Sequence, residues 1–374
     1  MASNLESKLK ESLRAREAQG LLRRLRSDNV GIDFCSNDYL GLAGDPALQA
    51  AIDQRTGGLG AAGSTGSRLI SGNSAAVEAA EACIAGFHRA SAALLFGSGY
   101  AANIALFSCL LGSGDTLITD RLVHASILDG VQLCKARHLR FRHNDLESLQ
   151  ARLRQAGGNV VIGVESVYSM DGDVAPLAQM AELAEQYHAA LIVDEAHSAG
   201  IDGPAGAGSV VAAGIEQRVF ARVITFGKAL GLHGAAVVGS ERLRQYLVNF
   251  ARPFIYSTAP PPHFVESIGA VYDYLPKIDA KRDRLRDLIR HFRDRIVTCG
   301  FEWLDSATAI QSVVIPGNAE VRRVAENLRE SGFNVVPIVA PTVPAGTERI
   351  RITLHANNTD TEIDRLFEAL ESNA

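Results

Sequence analysis

Between residues 91 and 239 the chain repeats one pattern, a short unbroken apolar run followed by a longer segment of helical periodicity. The runs are SAALLF (91–96), DTLIT (115–119), NVVIGV (159–164), AALIV (189–193), RVITF (222–226) and AAVVG (235–239). SAAVEAAEACIAGF and APLAQMAELAEQYH are two of the helical segments that flank them. A strand with one wet face alternates apolar and polar residues, whereas an unbroken run has both faces buried. Helices between such strands supply both the covering layers and the crossovers. The pattern predicts an α/β domain built on a parallel sheet.

Beyond residue 245 the pattern changes. YLVNFARPFIYSTAPPPH carries three consecutive prolines, which a regular element does not accommodate. A long charged helix follows, KIDAKRDRLRDLIRHFRDRI, then strand candidates at 309–315 and 348–354 and a last helix near 360–371. The chain divides into an N-terminal helix and strand segment (1–40), a large α/β domain (41–245) and a smaller C-terminal α+β domain (246–374).

Composition excludes several function classes. With 374 residues, 47% of them hydrophobic, the chain can bury a large core. A net charge of −5 gives no attraction for nucleic acid or an anionic membrane. Arg14, Arg16, Arg23, Arg24 and Arg26 cluster near the start, but glutamates interrupt them, which predicts an amphipathic helix rather than a targeting peptide. No apolar stretch reaches the roughly 18–20 residues that span a bilayer. The five cysteines never form CxxC and the ten histidines never form HExxH, so reduced thiols and no metal centre are expected. The expected setting is the cytoplasm.

Ligands of open parallel sheets bind beyond the carboxyl ends of the strands, and four predicted strands end in chemically suggestive residues. LLFGSGYAAN passes from strand through Gly97-Ser98-Gly99 to a helix start at about Tyr100, an anion site with Ser98 as a further donor. The same turn matches GxGxxA, with Asp120 about twenty residues on, so an NAD-dependent oxidoreductase stands as a rival. LIVDEAHSAG ends its strand at Asp194, beside Glu195 and three residues before His197. An acidic strand end of this kind also occurs in nucleic-acid ATPases, but the GxxxxGK[ST] loop they need is absent. GVESVYSMDGD brings Glu165 and Ser169, RLVHAS brings His124, and VITFGKAL brings Lys228.

A lysine that can form a Schiff base, an acid to keep a ring nitrogen protonated and an anion cup are what pyridoxal 5'-phosphate requires. A buried carboxylate facing a pyridinium also offsets the desolvation of both partners. A dinucleotide requires neither Lys228 nor Asp194, so the set favours pyridoxal phosphate.

CSNDYLGLAGDP, GSTGSRLISGN, GSGYAANIA, DRLVHASILDG, HNDLESL, SVYSMDGDVAPL, VDEAHSAG, TFGKALG and IYSTAPPP occur in this order. Together, from about residue 33 to the C-terminus, they resemble the α-oxoamine synthases, fold-type I pyridoxal-phosphate enzymes. The likeness is strongest to the branch that condenses L-alanine with pimeloyl-CoA, or its acyl-carrier-protein counterpart, in biotin synthesis. Glycine C-acetyltransferase, serine palmitoyltransferase and 5-aminolevulinate synthase types are the alternatives within the family. The resemblance implies a homodimer with active sites at the interface. It also implies that Lys228 holds the cofactor and shuttles the Cα proton, that Asp194 pairs with the ring nitrogen and that His124 stacks on the ring. Ser169 and His197 would lie near the phenolic oxygen, and Ser98, Gly99, Tyr100 and Thr225 would form the phosphate cup. Ser257 or Thr258 would reach the neighbouring subunit's cofactor. Asn37, Glu165, Thr342 and Arg351 map to the substrate side, Arg351 as the carboxylate fork. Two departures stand out. The stretch before PTVP reads Val339-Ala340 where many relatives of that branch have arginine, and His233 replaces a small or hydroxyl residue.

Overall fold

In the computed structural model, residues 4–25, 27 and 31–372 are described; Arg26 of the basic cluster lies outside them. Among the described residues the strands form three sheets. The first strand is a two-residue one, β1 (Ile32–Asp33). The large sheet contains β2 (Ala92–Phe96), β3 (Thr116–Asp120), β4 (Arg137–Phe141), β5 (Val160–Glu165), β6 (Ala190–Asp194), β7 (Ala221–Thr225) and β8 (Ala235–Gly239). Their spatial order is β2-β8-β7-β6-β5-β3-β4. A smaller antiparallel sheet joins β9 (Ile310–Val314), β11 (Val336–Ile338) and β12 (Arg349–Thr353), while β10 (Phe333–Asn334) pairs in parallel with β1.

Each of the six apolar runs forms a strand, displaced by at most one residue at either end. Their two faces feed two cores: Ala93 and Leu95 pack on one side of the sheet, Leu94 and Phe96 on the other. Val237 and Val238 divide in the same way. Side chains such as Val223 and Ile224, with no exposed surface, each stabilise the layer by roughly 1.5–3 kcal/mol.

Three elements differ from the sequence expectation. β8 runs antiparallel to both of its neighbours, β2 and β7, because the residues between Thr225 and Ala235 are too few for a parallel crossover. A seventh strand, β4, closes one edge with the sequence RHLRF; its charged side chains hide the apolar signal and protect the edge. The last proline of the triplet, Pro262, begins the helix Pro262–Tyr274, in the first turn where a missing N–H costs nothing.

The carboxyl ends of β2, β3, β5, β6 and β7 therefore share one rim, where Ser98, Asp120, Glu165, Asp194 and Lys228 follow them. Residues 31–39 run instead along the C-terminal layer. The Phe34 N–H donates to Asn334 O at 2.9 Å, and Thr353 and Ala356 donate to the carbonyls of Phe34 and Tyr39 at 2.8 Å each. Helices Asp279–Thr298, Asn318–Glu330 and Asp360–Ser372 cover that layer through Phe292, Leu328 and Phe367. The N-terminal helix forms over Asn4–Ala18 with none of its residues buried, and Leu5, Leu9 and Leu13 stay exposed along one stripe.

Candidate active site

At the shared rim lies a cavity of ≈ 240 Å³. Ser98, Gly99 and Tyr100 form one end, at the start of helix Gly99–Cys109. Ser98 is the N-cap residue, its Oγ accepting from Ala101 N at 3.1 Å. Gly99 is needed for close approach: a Cβ there would meet Cγ2 of Thr225 at 2.5 Å. Bare backbone N–H groups at a helix start favour an anion.

Asp194 ends β6 deep in the cavity, 5% exposed. Its Oδ1 accepts from Ala196 N at 2.9 Å and its Oδ2 from Asn103 Nδ2 at 2.7 Å. Asn103 also donates to Ser126 Oγ at 2.9 Å, and that hydroxyl lies 2.7 Å from Nδ1 of His124. His124 caps helix Ala125–Leu133, and its backbone N–H donates to Glu165. Burial holds the His124 imidazole below its ordinary pKa, with the charge of Asp194 opposing and that of Lys228 adding. Glu165 is pushed well up, first by burial and then by Asp194, with Lys228 opposing.

Lys228 stands on the tight connection between β7 and β8, closed by bonds from Phe226 N to Gly234 O and from Leu232 N to Phe226 O. The apolar strand thus ends on a turn that lifts one amine into the cavity. Burial lowers its pKa to about 8, with Asp194 and Glu165 opposing. Its Nζ lies 2.9 Å from Nε2 of His197, whose Nδ1 lies 2.6 Å from the phenol of Tyr39. Tyr39 donates to Asn37 Oδ1 at 3.2 Å, and that oxygen also accepts from Arg351 Nη2 at 2.9 Å. Because the Tyr39 proton is committed to Asn37, the phenol oxygen accepts from Nδ1–H of His197. Nε2 is then the acceptor for Lys228. Burial, reinforced by the charge of Lys228, keeps His197 neutral.

The fold brings most of the sequence-derived residues together. Ser98, Gly99, Tyr100, His124 and Glu165 line the cavity, as do Asp194, His197, Thr225 and Lys228. Asn37 and Arg351 join through Tyr39. Ser169 enters by its backbone carbonyl, which accepts from Arg351 Nε at 2.7 Å. Ser257 and Thr258 line a neighbouring cavity of ≈ 370 Å³, and His233 borders both spaces. Thr342 lies outside the lining, in a turn where its N–H donates to Val339 O at 2.9 Å. Asn103, Ser126 and Tyr39 were not legible as site residues. Asn103 carried one signal, an amide set among Ala101, Ala102, Ile104 and Ala105 one turn into the helix that follows the glycines.

The dinucleotide reading fails on topology. Asp120 ends β3, separated from β2 by β8, β7, β6 and β5, about 24 Å at the usual strand spacing. Its carboxylate is occupied by Leu122 N, Asn144 N and His143. The residues present do fit pyridoxal phosphate: a buried carboxylate for the ring nitrogen, an amine of lowered pKa, and a helix start whose Gly99–Thr225 cradle a Cβ would fill.

Comparison with known proteins agrees. The aminotransferase class I and II family model matches residues 29–370. An 8-amino-7-oxononanoate synthase of Chromobacterium violaceum is 44% identical over 340 residues, covering 91% of this chain and 88% of its own. The solved 8-amino-7-oxononanoate synthase of Francisella tularensis superposes with a TM-score of 0.80 at 30% identity, covering 92% of this chain and 98% of its own. A serine palmitoyltransferase from S. paucimobilis, solved with a bound PLP–myriocin adduct, gives 0.89 at 29% identity over 98% of this chain and 96% of its own. The chain is a member of the aminotransferase class I and II family, in its α-oxoamine synthase branch, with the fold-type I architecture and the pyridoxal-phosphate dependence of that branch.

Proposed function

We propose that the chain condenses L-alanine with a pimeloyl thioester, of CoA or of acyl-carrier protein, giving 8-amino-7-oxononanoate, carbon dioxide and the free thiol. One observation carries this: Lys228, Asp194 and the helix start at Gly99 converge in one cavity of a chain 44% identical to a curated 8-amino-7-oxononanoate synthase. Fold likeness to serine palmitoyltransferase is common to the whole branch, so the higher sequence identity decides between the two.

Ser98, the Gly99 and Tyr100 amides and Thr225 would hold the cofactor's phosphate, Asp194 its ring nitrogen and Lys228 its aldehyde carbon. When bound, pyridoxal phosphate supplies an electron sink for the charge that Cα gains on losing a proton. Lys228, with its lowered pKa, is the base placed to take that proton and return it. His197, neutral and aimed by Tyr39, accepts from the Lys228 amine and steadies it. His124 would lie flat on the ring, held by Ser126. Arg351 offers its fork to the substrate carboxylate, with Asn37 fixing one arm.

The working unit is read as a cytoplasmic homodimer. Ser257 and Thr258 are exposed and stand outside their own chain's Lys228 cavity, which suits residues serving a second copy. The five cysteines are free thiols, the state a reducing compartment maintains. No helix among the described residues is long and apolar enough to cross a membrane.

The test is release of free thiol from a panel of acyl-CoA thioesters with alanine, glycine and serine, alongside borohydride fixation of the cofactor. Turnover with alanine and pimeloyl-CoA, and a reduced adduct on Lys228 that Lys228→Ala lacks, are expected. Turnover confined to serine and long-chain thioesters would reassign the substrate.

A further inference from the structure

The HND tripeptide at 143–145 lies outside the cavity, yet its first two residues join two carboxylates. His143 Nδ1 lies 3.0 Å from Asp120 Oδ1, and its Nε2 lies 2.6 Å from Asp173 Oδ2. Two ionised carboxylates only accept, so the ring donates from both nitrogens and is positively charged. Burial opposes that charge, but the bonds and charges of Asp120 and Asp173 outweigh it and push the pKa up to about 10. Asn144 repeats the bridge: its backbone N–H donates to Asp120 Oδ2 at 2.9 Å and its Nδ2 to Asp173 Oδ2 at 2.6 Å. The Asn144 φ of 51° is the left-handed region that asparagine tolerates better than most residues. The Tyr168 ring meets the imidazole edge-on, centroids 4.4 Å apart.

What the clamp holds is the turn from Tyr168 to Asp173. Tyr168 N donates to Asp173 O at 3.0 Å and Gly172 N to Tyr168 O at 2.9 Å. Gly172, at φ 75°, sits so close to Ile310 O that a Cβ would lie 2.3 Å from it. Two outward groups of this turn reach β12: the Ser169 carbonyl accepts from Arg351 Nε at 2.7 Å, and the Asp171 carboxylate accepts from Arg349. The C-terminal layer holds the other side of the turn, through Ser306 Oγ to Gly172 O at 2.9 Å and Ser312 Oγ to Met170 O at 3.1 Å. His143, seconded by Asn144, thus ties this turn to the end of β3 in the large sheet.

We propose that His143 is a positioning residue for amino-acid binding: by clamping Asp173 to Asp120 it fixes the Ser169 carbonyl, and that carbonyl aims the Arg351 guanidinium at the substrate carboxylate. The proposal rests on the reading of Arg351 as the carboxylate fork. A bidentate contact tolerates little misalignment, so a loosened turn weakens recognition of the amino acid and leaves the acyl thioester unaffected.

The experiment compares the holoenzyme with H143Q, D173N, R351Q and H143Q/R351Q, varying L-alanine and pimeloyl-CoA separately and recording melting temperature alongside. D173N keeps the shape of the clamp while removing one charge, and serves if H143Q does not fold. H143Q and D173N are expected to raise the alanine KM roughly tenfold with less than about twofold change for the thioester. In the R351Q background, H143Q is expected to add nothing further to the alanine KM. Equal shifts in both KM values, or an undiminished H143Q effect without Arg351, would overturn the proposal. A raised alanine KM in R351Q with none in H143Q and D173N also overturns it, leaving Arg351 as the fork. An alanine KM unchanged by R351Q overturns the reading of Arg351, and the positioning role with it.

Discussion

The phenol oxygen of Tyr39 lies 2.6 Å from Nδ1 of His197, buried between the amine that ends one strand connection and the arginine of a distant strand. Burial pushes the Tyr39 pKa up to about 12, so the phenol keeps its proton and serves as a fixed acceptor and donor. Tyr39→Phe leaves the His197 N–H without a partner and frees the ring to change tautomer, at a cost of about 1–3 kcal/mol. Retained cofactor absorbance with kcat lowered roughly tenfold is the expected outcome. Wild-type turnover in Tyr39→Phe would show that His197 needs no such orientation.

Lys228 sets a pH dependence of known sign. Its pKa is lowered from 10.5 to about 8 by burial, so the reactive neutral amine accumulates as pH rises through about 8. Uptake of pyridoxal phosphate by the cofactor-free protein should accelerate up to that region and then level off. Asp194→Asn removes an anion that favours the ammonium form, so the midpoint should move lower while cofactor affinity falls. A wild-type rate still climbing near the ordinary lysine value would contradict this.

Gly99 and Thr225 form a steric pair. Gly99→Ala places a methyl 2.5 Å from Thr225 Cγ2, forcing the helix start away from the strand end at a cost of about 1–3 kcal/mol. The expected result is weaker retention of pyridoxal phosphate on dialysis with little change in far-ultraviolet circular dichroism. Thr225→Ser removes that methyl and should restore part of the binding in the double variant. A double variant no better than Gly99→Ala would place the defect elsewhere.

Glu195, next to Asp194, serves the core rather than the cavity. It has no exposed surface, accepts from Val210 N at 2.9 Å and faces buried Arg222 across 3.5 Å. Burial pushes its pKa up to about 7, with Arg222 opposing. Glu195→Ala leaves the guanidinium buried without its carboxylate and should destabilise the protein by about 3 kcal/mol, read from urea unfolding. An unchanged midpoint would mean that Arg222 finds compensation nearby.

Much of the fold was legible because burial writes itself into local composition. Six apolar runs became strands, and Asp194, Glu165 and Ser98 arrived on one rim because they follow strands that run the same way. β4 escaped notice because an edge strand has one neighbour and a wet face, so its sequence carries arginines. The direction of β8 was a matter of chain length: too few residues separate it from β7 for a crossover.

By itself the sequence determined which residues stand at strand ends, and hence that an amine, a carboxylate and an anion-binding turn share a cavity. Only the tertiary structure decided how they are held. Asn37 and Arg351 are 314 positions apart, yet one hydrogen bond joins them, and through Tyr39 it sets the tautomer of His197. The clamp of His143 on Asp120 and Asp173 arises in the same way, from three separate strand-end segments. Periodicity records whether a residue is buried, since that depends on its own backbone. The identity of its hydrogen-bond partner depends on which remote segment packing brings within 3 Å, and no local pattern encodes that.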